Sequence, residues 1–126
     1  MADNESYELQ VPAINRALVV ISLKQPYIDW VNRIRTPEEI QEGVEFDLSS
    51  LNDECTSFLI PEVISTDEFE EFLQNNWKAL FQYEVSNWVQ DRELWPKGLT
   101  YEMFREWFEV RFSSLVLDLC PEEPVD

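Results

Sequence analysis

The sequence contains no histidine and only two glycines, and both shortages exclude whole classes of chemistry. Without an imidazole there can be no Ser-His-Asp triad, no Cys-His pair, no HExxH zinc site and no facial-triad iron site. With Gly43 and Gly98 alone, neither a Walker loop nor a GxGxxG turn can form. The sequence therefore predicts no cofactor, no metal centre of these kinds and no catalytic residues.

Basic residues are also scarce, since 9 Lys and Arg stand against 26 Asp and Glu, which gives a formal net charge of −17. A surface with this charge repels nucleic-acid phosphates and anionic lipids. We therefore expect neither direct nucleic-acid binding nor membrane binding. The same charge favours association with a basic protein partner.

The chain of 126 residues is long enough for one domain, and its 44% of apolar residues can fill a core. We predict a flexible arm at 1–14, a single globular domain at 15–120 and a flexible acidic tail at 121–126. The first residues lack the basic start and apolar run of a signal peptide, so a cytoplasmic location is expected. Cys55 and Cys120 are expected to be reduced thiols, and a regulatory disulfide is the less favoured alternative.

Apolar patterning in the first half predicts two strands with helices between them. Residues from Arg16 to Lys24 indicate a buried strand, and Pro26 suits the first turn of a short helix. Asp47 is placed to cap another short helix at 48–53, and Cys55 to Ile60 indicates the second strand. A helical crossover between the two strands favours a parallel pair.

The second half predicts a long amphipathic helix. Ser65 and Glu68 match an S-x-x-E capping box, and apolar residues then keep a 3.6-residue period to Val89. Thr100 is placed to cap a further helix. Its apolar face would carry Met103, Phe104, Trp107 and Phe108.

Residues 110–119 (VRFSSLVLDL) fit both an alternating strand and a continued helix, and the branched side chains favour the strand. The element order is then β-α-(α)-β-α-α-β. This order predicts a small two-layer α/β (α+β) sandwich of about three strands, with the helices packed on the sheet.

Tryptophan is abundant, and four of the five lie between Trp77 and Trp107. Most follow the helical period and are expected in the core. Trp95 lies instead in the loop at 91–98 (DRELWPKG), where it either plugs a corner between helices or stands exposed as an anchor. Since Trp and Arg dominate interface hot spots, the candidate interaction residues are Trp95, Arg92, Glu93 and Trp88.

Three acidic residues, Glu102, Glu106 and Glu109, have the spacing of one helical face. They fit a metal or acid–base cluster, but charge on the outer stripe is what any amphipathic helix carries. The solvated face is the favoured interpretation.

Three segments carry a resemblance: NRALVVISLKQPYIDWVN (15–32), ELWPKG (93–98) and EMFREWFEVRFSSLVLDL (102–119). They resemble a family of short, acidic, Trp-rich bacterial proteins with no assigned function. The resemblance covers most of residues 15–120. It implies a bacterial cytosolic single domain and carries no site residues.

The leading hypothesis for function is a non-enzymatic protein-interaction module, similar in composition to small immunity proteins and antitoxins that bind a basic partner. Self-association into a homodimer is a related version of this hypothesis. The alternative is a carboxylate-based, Mg²⁺-dependent enzyme, which needs a buried pair of acids. A nucleic-acid mimic ranks third.

Overall fold

The computed structural model describes residues 13–51 and 55–120. These ranges form β1 (Arg16–Leu23), α1 (Gln25–Arg33), α2 (Pro37–Gln41), α3 (Leu48–Leu51), β2 (Thr56–Pro61), α4 (Thr66–Trp88), a 3₁₀ turn (Arg92–Leu94), α5 (Tyr101–Trp107) and β3 (Phe108–Ser113). Most of the predicted arm and all of the predicted tail lie outside the described residues. So do the last two residues of the helix predicted at 48–53.

The strands form a three-stranded sheet in the described part of the chain, in the order β2-β1-β3. Alternate residues of β1, namely Ala17, Val19 and Ile21, are fully buried, whereas the intervening residues are less so. This alternation is typical of a sheet with one face packed on a core. The small α+β fold, with helices packed on the sheet, is confirmed.

The parallel pairing predicted for the first two strands is wrong, because β1 pairs with β2 in antiparallel orientation. A parallel crossover must return the chain along the whole length of the strand. Here the connection is broken into three short helices, and Thr56 at the start of β2 pairs with Ile21 near the end of β1. The chain therefore re-enters the sheet at the end it left and runs back.

Two short helices in this connection begin at side-chain caps. Thr36 and Glu39 form a capping box at α2, which the sequence analysis missed. Asp47 accepts a hydrogen bond of 2.8 Å from the backbone N–H of Ser50, so the predicted cap of α3 is confirmed.

The long helix α4 has 23 residues and spans about 35 Å. Its cap Ser65 accepts from the backbone N–H of Glu68 as predicted, but the Glu68 carboxylate accepts from the backbone N–H of Ile64 and the hydroxyl of Ser65 rather than from the backbone N–H of Ser65. Half of the predicted capping box is therefore formed. The side chains of α4 that are fully buried are Leu73, Phe81 and Val85.

The chain changes from helix to strand at Phe108, which the sequence analysis placed on the helical face but which begins β3. β3 ends at Ser113, well short of the predicted end at 119. The hydroxyl of Ser113 donates to the Leu115 carbonyl, and such local bonds compete with a sheet ladder. Beyond this bend, Leu117 forms an isolated bridge with Ala13, which ties the last residues of the predicted arm to the domain.

Candidate functional site

The apolar stripe of α4 is interrupted by one acidic residue, Glu84. The stripe passes through Trp77 and Phe81 and reaches Trp88, and Glu84 lies three residues after Phe81 and four before Trp88. These spacings place the carboxyl on the inward face. Glu84 is only 5% exposed, and it is the one buried charged residue in the described part of the chain.

The Glu84 carboxyl has one hydrogen-bond donor and one free oxygen. The Thr56 side chain, at the start of β2, hydrogen-bonds the carboxyl. The Oε2 atom is buried and has no partner among the described residues. Burial raises the pKa of Glu84 above its ordinary value, since a buried site disfavours the charged form, and the Thr56 bond opposes this shift.

Tyr27 packs directly against the same turn of α4. Its hydroxyl donates to the backbone carbonyl oxygen of Glu84 at 2.7 Å. Burial, and second the nearby Glu84 charge, raise the pKa of Tyr27 far above the physiological range. The phenol therefore remains protonated and fixes the backbone behind the carboxyl.

A cavity of about 410 Å³, here called the Glu84 pocket, opens beside this carboxyl. Small-molecule sites have volumes of about 300–1,000 Å³, so the pocket can hold a ligand of modest size. It lies where the end of β1 and the start of β2 meet the last turns of α4. The pocket is lined by Ile21, Leu23, Tyr27, Leu51, Cys55, Thr56, Ser57, Glu84, Asn87 and Trp88.

The pocket has a carboxyl and aromatic rings but no cation among its described lining residues. The stretch of sequence that supplies α3 and β2 has none either, because the sequence contains no Lys or Arg between Arg35 and Lys78. A buried carboxyl normally has a charged or hydrogen-bonding partner for each oxygen. The arrangement is therefore suited to a ligand that brings its own donor.

The two cysteines are free and exposed. Cys55 lines the pocket, with its Sγ 3.2 Å from the Ser22 hydroxyl. It precedes β2 at one edge of the sheet, whereas Cys120 follows β3 at the other edge, and β1 lies between the two strands. This strand order does not favour a disulfide between the two cysteines, which stays the less favoured alternative.

Of the four candidate interaction residues, the structure places Trp88 at the pocket. Its side chain is 36% exposed, lines the cavity and meets Phe46 edge to face at 4.9 Å between ring centroids. Trp88 thus combines a fixed orientation with an accessible ring.

Trp95, Arg92 and Glu93 lie together in the turn that follows α4. The Trp95 ring is half-buried, its indole N–H donates to the Val89 carbonyl at 2.8 Å, and the Arg92 guanidinium lies 5.1 Å from its centroid. The indole of Trp30 also holds this turn, through a 3.0 Å bond to the Leu94 carbonyl. These contacts favour the interpretation in which Trp95 fills a corner between helices over the one in which it is an exposed anchor. Arg92 and Glu93 are exposed.

A second carboxyl on α4, that of Glu70, shows the opposite situation. It accepts from the Tyr101 hydroxyl and from the Arg105 guanidinium, both at 2.8 Å. The bond from Arg105, followed by that from Tyr101, holds the pKa of Glu70 below its ordinary value. This satisfied cluster ties α4 to α5 and leaves nothing for a ligand.

The acidic spacing at Glu102, Glu106 and Glu109 does not form one helical face, because Glu109 lies on β3. All three are exposed. Within residues 13–51 and 55–120, no group of three or more acidic or cysteine side chains is placed to hold a metal ion. In the same ranges, no helix has the length and apolar character needed to cross a membrane.

Comparison of the chain with protein-family models, with curated proteins and with solved structures gave no match.

Glu84 was not among the site residues predicted from the sequence. The signal was present, because Glu84 occupies a position where the 3.6-residue period requires an apolar side chain. An acid at such a position is either tied to a partner or part of a site. The open pocket beside it became apparent only in the fold.

Proposed function

We propose that this protein is a non-enzymatic interaction module that binds a basic protein partner. The proposed contact is the α4 end surface, defined by Trp88, Asp91, Glu93 and Leu94. The main observation behind the proposal is that exposed apolar side chains lie beside acidic residues there, at a helix end without a basic residue. Trp88 is 36% exposed and Leu94 is 40% exposed, and the last turn of α4 has no basic residue.

The electrostatics of this surface favour a cation. The carboxyl end of a helix carries a partial negative charge, which a Lys or Arg in the last turn would normally offset. Asp91 and Glu93 add full charges just beyond the end of the helix. Of the two cations in this loop, Arg92 lies over the Trp95 ring, and Lys97 follows three residues after Leu94.

The apolar part of the surface can supply the binding energy that charge alone does not. Interface hot spots are enriched in Trp and are surrounded by contacts that exclude water. Trp88, held edge to face by Phe46, is pre-oriented for this role. Long-range charge would raise the association rate and select a basic partner.

Two observations support a basic partner over the alternatives. Two copies of a chain with a net charge of −17 repel each other, which disfavours a homodimer. The enzyme alternative needs a pair of buried acids, and Glu84 is the only buried charged residue in the described part of the chain.

The test compares two equal substitutions at opposite ends of α4. Leu94→Arg places a cation in the α4 end surface, and Ile64→Arg places one at the 74%-exposed Ile64 beside the helix start. Basic proteins captured from a nuclease-treated lysate are identified, purified and titrated against each variant. Leu94→Arg should weaken binding at least about tenfold, or about 1.4 kcal/mol. Ile64→Arg should change binding by less than about twofold, because it alters the net charge equally but not the surface.

The result that contradicts the proposal is equal weakening by both variants, which would mean that only net charge matters. A captured protein whose binding neither variant changes would also contradict it. Binding that fails to weaken as salt is raised would remove the electrostatic part.

A further inference from the structure

We infer that the Glu84 pocket binds an organic cation, an ammonium or guanidinium group on a short apolar stem. The cation would pair with the Glu84 carboxylate, and the stem would lie against Leu23 and Trp88. This inference goes beyond the proposed function and rests on a different observation, the buried carboxyl oxygen without a partner.

Glu84 gives the pocket a hydrogen-bond acceptor, but no described lining residue supplies a positively charged donor. Glu84 lines the pocket, the Thr56 side chain hydrogen-bonds its carboxyl, and its buried Oε2 atom has no described partner. A neutral ligand could donate a hydrogen bond to this carboxyl, but a cation gains about twice as much from it. An anion is excluded, because it would approach both the carboxyl and a chain of net charge −17.

The walls of the pocket suit the stem of such a ligand. Leu23, Leu51 and Ile21 offer an aliphatic surface, and Trp88 also lines the pocket. An aromatic ring of this kind attracts an ammonium or guanidinium group through its π-face. The volume of about 410 Å³ accommodates an alkyl amine or one long basic side chain.

Among the described residues, no other titratable group that faces Glu84 supplies a cation to pair with its carboxyl. From α1 comes the Tyr27 phenol, and before β2 comes the Cys55 thiol, while the lining residues of β1 and α3 do not titrate. Lys24, next to the pocket in sequence, donates instead to the Arg105 carbonyl at 3.1 Å. Ammonium binding should therefore strengthen as pH rises through the pKa of Glu84 and then level off.

The experiment titrates three ligands of equal length into the isotope-labelled full chain near neutral pH: n-pentylammonium, n-pentanol and pentanoate. The readouts are the NMR shifts of the Trp88 indole N–H and the Asn87 side-chain amide. Pentylammonium should bind at least about tenfold more tightly than pentanol, and pentanoate should not bind.

Two matched variants locate the interaction. Glu84→Gln keeps the shape of the side chain and should bring pentylammonium to within about twofold of pentanol. Glu71→Gln, the same change at an exposed position of the same helix, should preserve the preference. Thermal melts of both variants establish that each is folded.

Two further ligands distinguish the sources of the cation. A blocked Ala-Lys-Ala peptide that binds more tightly than pentylammonium identifies a lysine side chain of a protein, whereas the reverse order identifies a free amine. Either order supports the inference. Equal binding of pentanol and pentylammonium, an unchanged preference in Glu84→Gln, or the absence of saturable shifts would overturn it.

The proposals for the α4 end surface and for the Glu84 pocket can be tested separately. Leu94→Arg should leave pentylammonium binding unchanged, because Leu94 does not line the pocket. Loss of partner binding in that variant with intact ammonium binding would therefore assign the two sites to different ligands.

Discussion

Each end of α4 carries a glutamate, and the two carboxyl groups lie in contrasting environments. Glu70, near the start, bonds to Tyr101 and Arg105, its side chain is 44% exposed, and its pKa is lowered. Glu84, near the end, is 5% exposed, has one oxygen without a described partner, and its pKa is raised by burial.

The face of the helix does not explain this difference. Fourteen residues separate the two carboxyls, which at 3.6 residues per turn leaves them only about 40° apart around the axis. The neighbours explain it instead. α5 brings a guanidinium to Glu70, whereas the elements around Glu84 include α3 and β2, which come from a stretch of sequence without Lys or Arg.

The largest predicted effect tests how the end of α4 is held. Trp95→Ala removes a half-buried ring, its bond to Val89 and its contact with Arg92, and should cost about 3 kcal/mol of unfolding free energy. Trp88→Ala, at a 36%-exposed ring, should cost less than about 1.5 kcal/mol. Urea denaturation measures both. Equal losses would contradict the assignment of Trp95 as a plug and Trp88 as an accessible ring.

The next prediction concerns replacement of each glutamate by leucine, which should change the unfolding free energy in opposite directions at the two positions. Glu84→Leu restores the apolar stripe and removes a buried carboxyl without a full set of partners, so it should stabilise the fold by about 1–2 kcal/mol near pH 8. Glu70→Leu removes a half-exposed ion pair and should destabilise it by up to about 1 kcal/mol. Parallel thermal and urea melts compare them. Destabilisation by Glu84→Leu would mean that the carboxyl has partners that support the fold.

The smallest predicted effect is that Glu84 and Glu70 change the stability of the fold in opposite directions as pH changes. Since the folded pKa of Glu84 is raised, its stabilising contribution is present below the unfolded pKa and is lost as pH rises through the folded pKa. Glu70, with a lowered pKa, contributes above the unfolded pKa and loses that contribution as pH falls through the folded pKa.

Glu84→Gln should therefore gain stability relative to wild type as pH rises from the unfolded glutamate pKa of about 4.3 through the raised folded pKa of Glu84. Glu70→Gln should lose stability relative to wild type as pH rises from the lowered folded pKa of Glu70 to the unfolded pKa, by a smaller amount because the pair is exposed to solvent. Parallel curves for the two variants would contradict the comparison.

The sequence predicted much of the fold because its signals were local. The caps at Asp47, Ser65 and Thr100 and the long apolar period of α4 depend on residues a few positions apart. The direction of β2 did not follow, because it depends on where a connection of three short helices returns the chain. The early end of β3 did not follow either, because a serine bond interrupts an otherwise suitable strand pattern.

The candidate site was predicted in part. Trp88 was selected from its residue type and position, and it lines the Glu84 pocket. Glu84 itself was overlooked among 26 acidic residues, although its place in the apolar stripe distinguished it. The pocket could not be inferred, since its walls come from β1, α1, α3, β2 and α4 and meet only in three dimensions.

The most direct test of the central claim is the pKa of Glu84, followed through its side-chain carboxyl carbon by NMR with and without n-pentylammonium. The account predicts a raised pKa in the free protein and a lower one when the ammonium ion is bound, because the cation stabilises the carboxylate. A pKa at or below the ordinary glutamate value of about 4.3, unchanged by the ammonium ion, would contradict it.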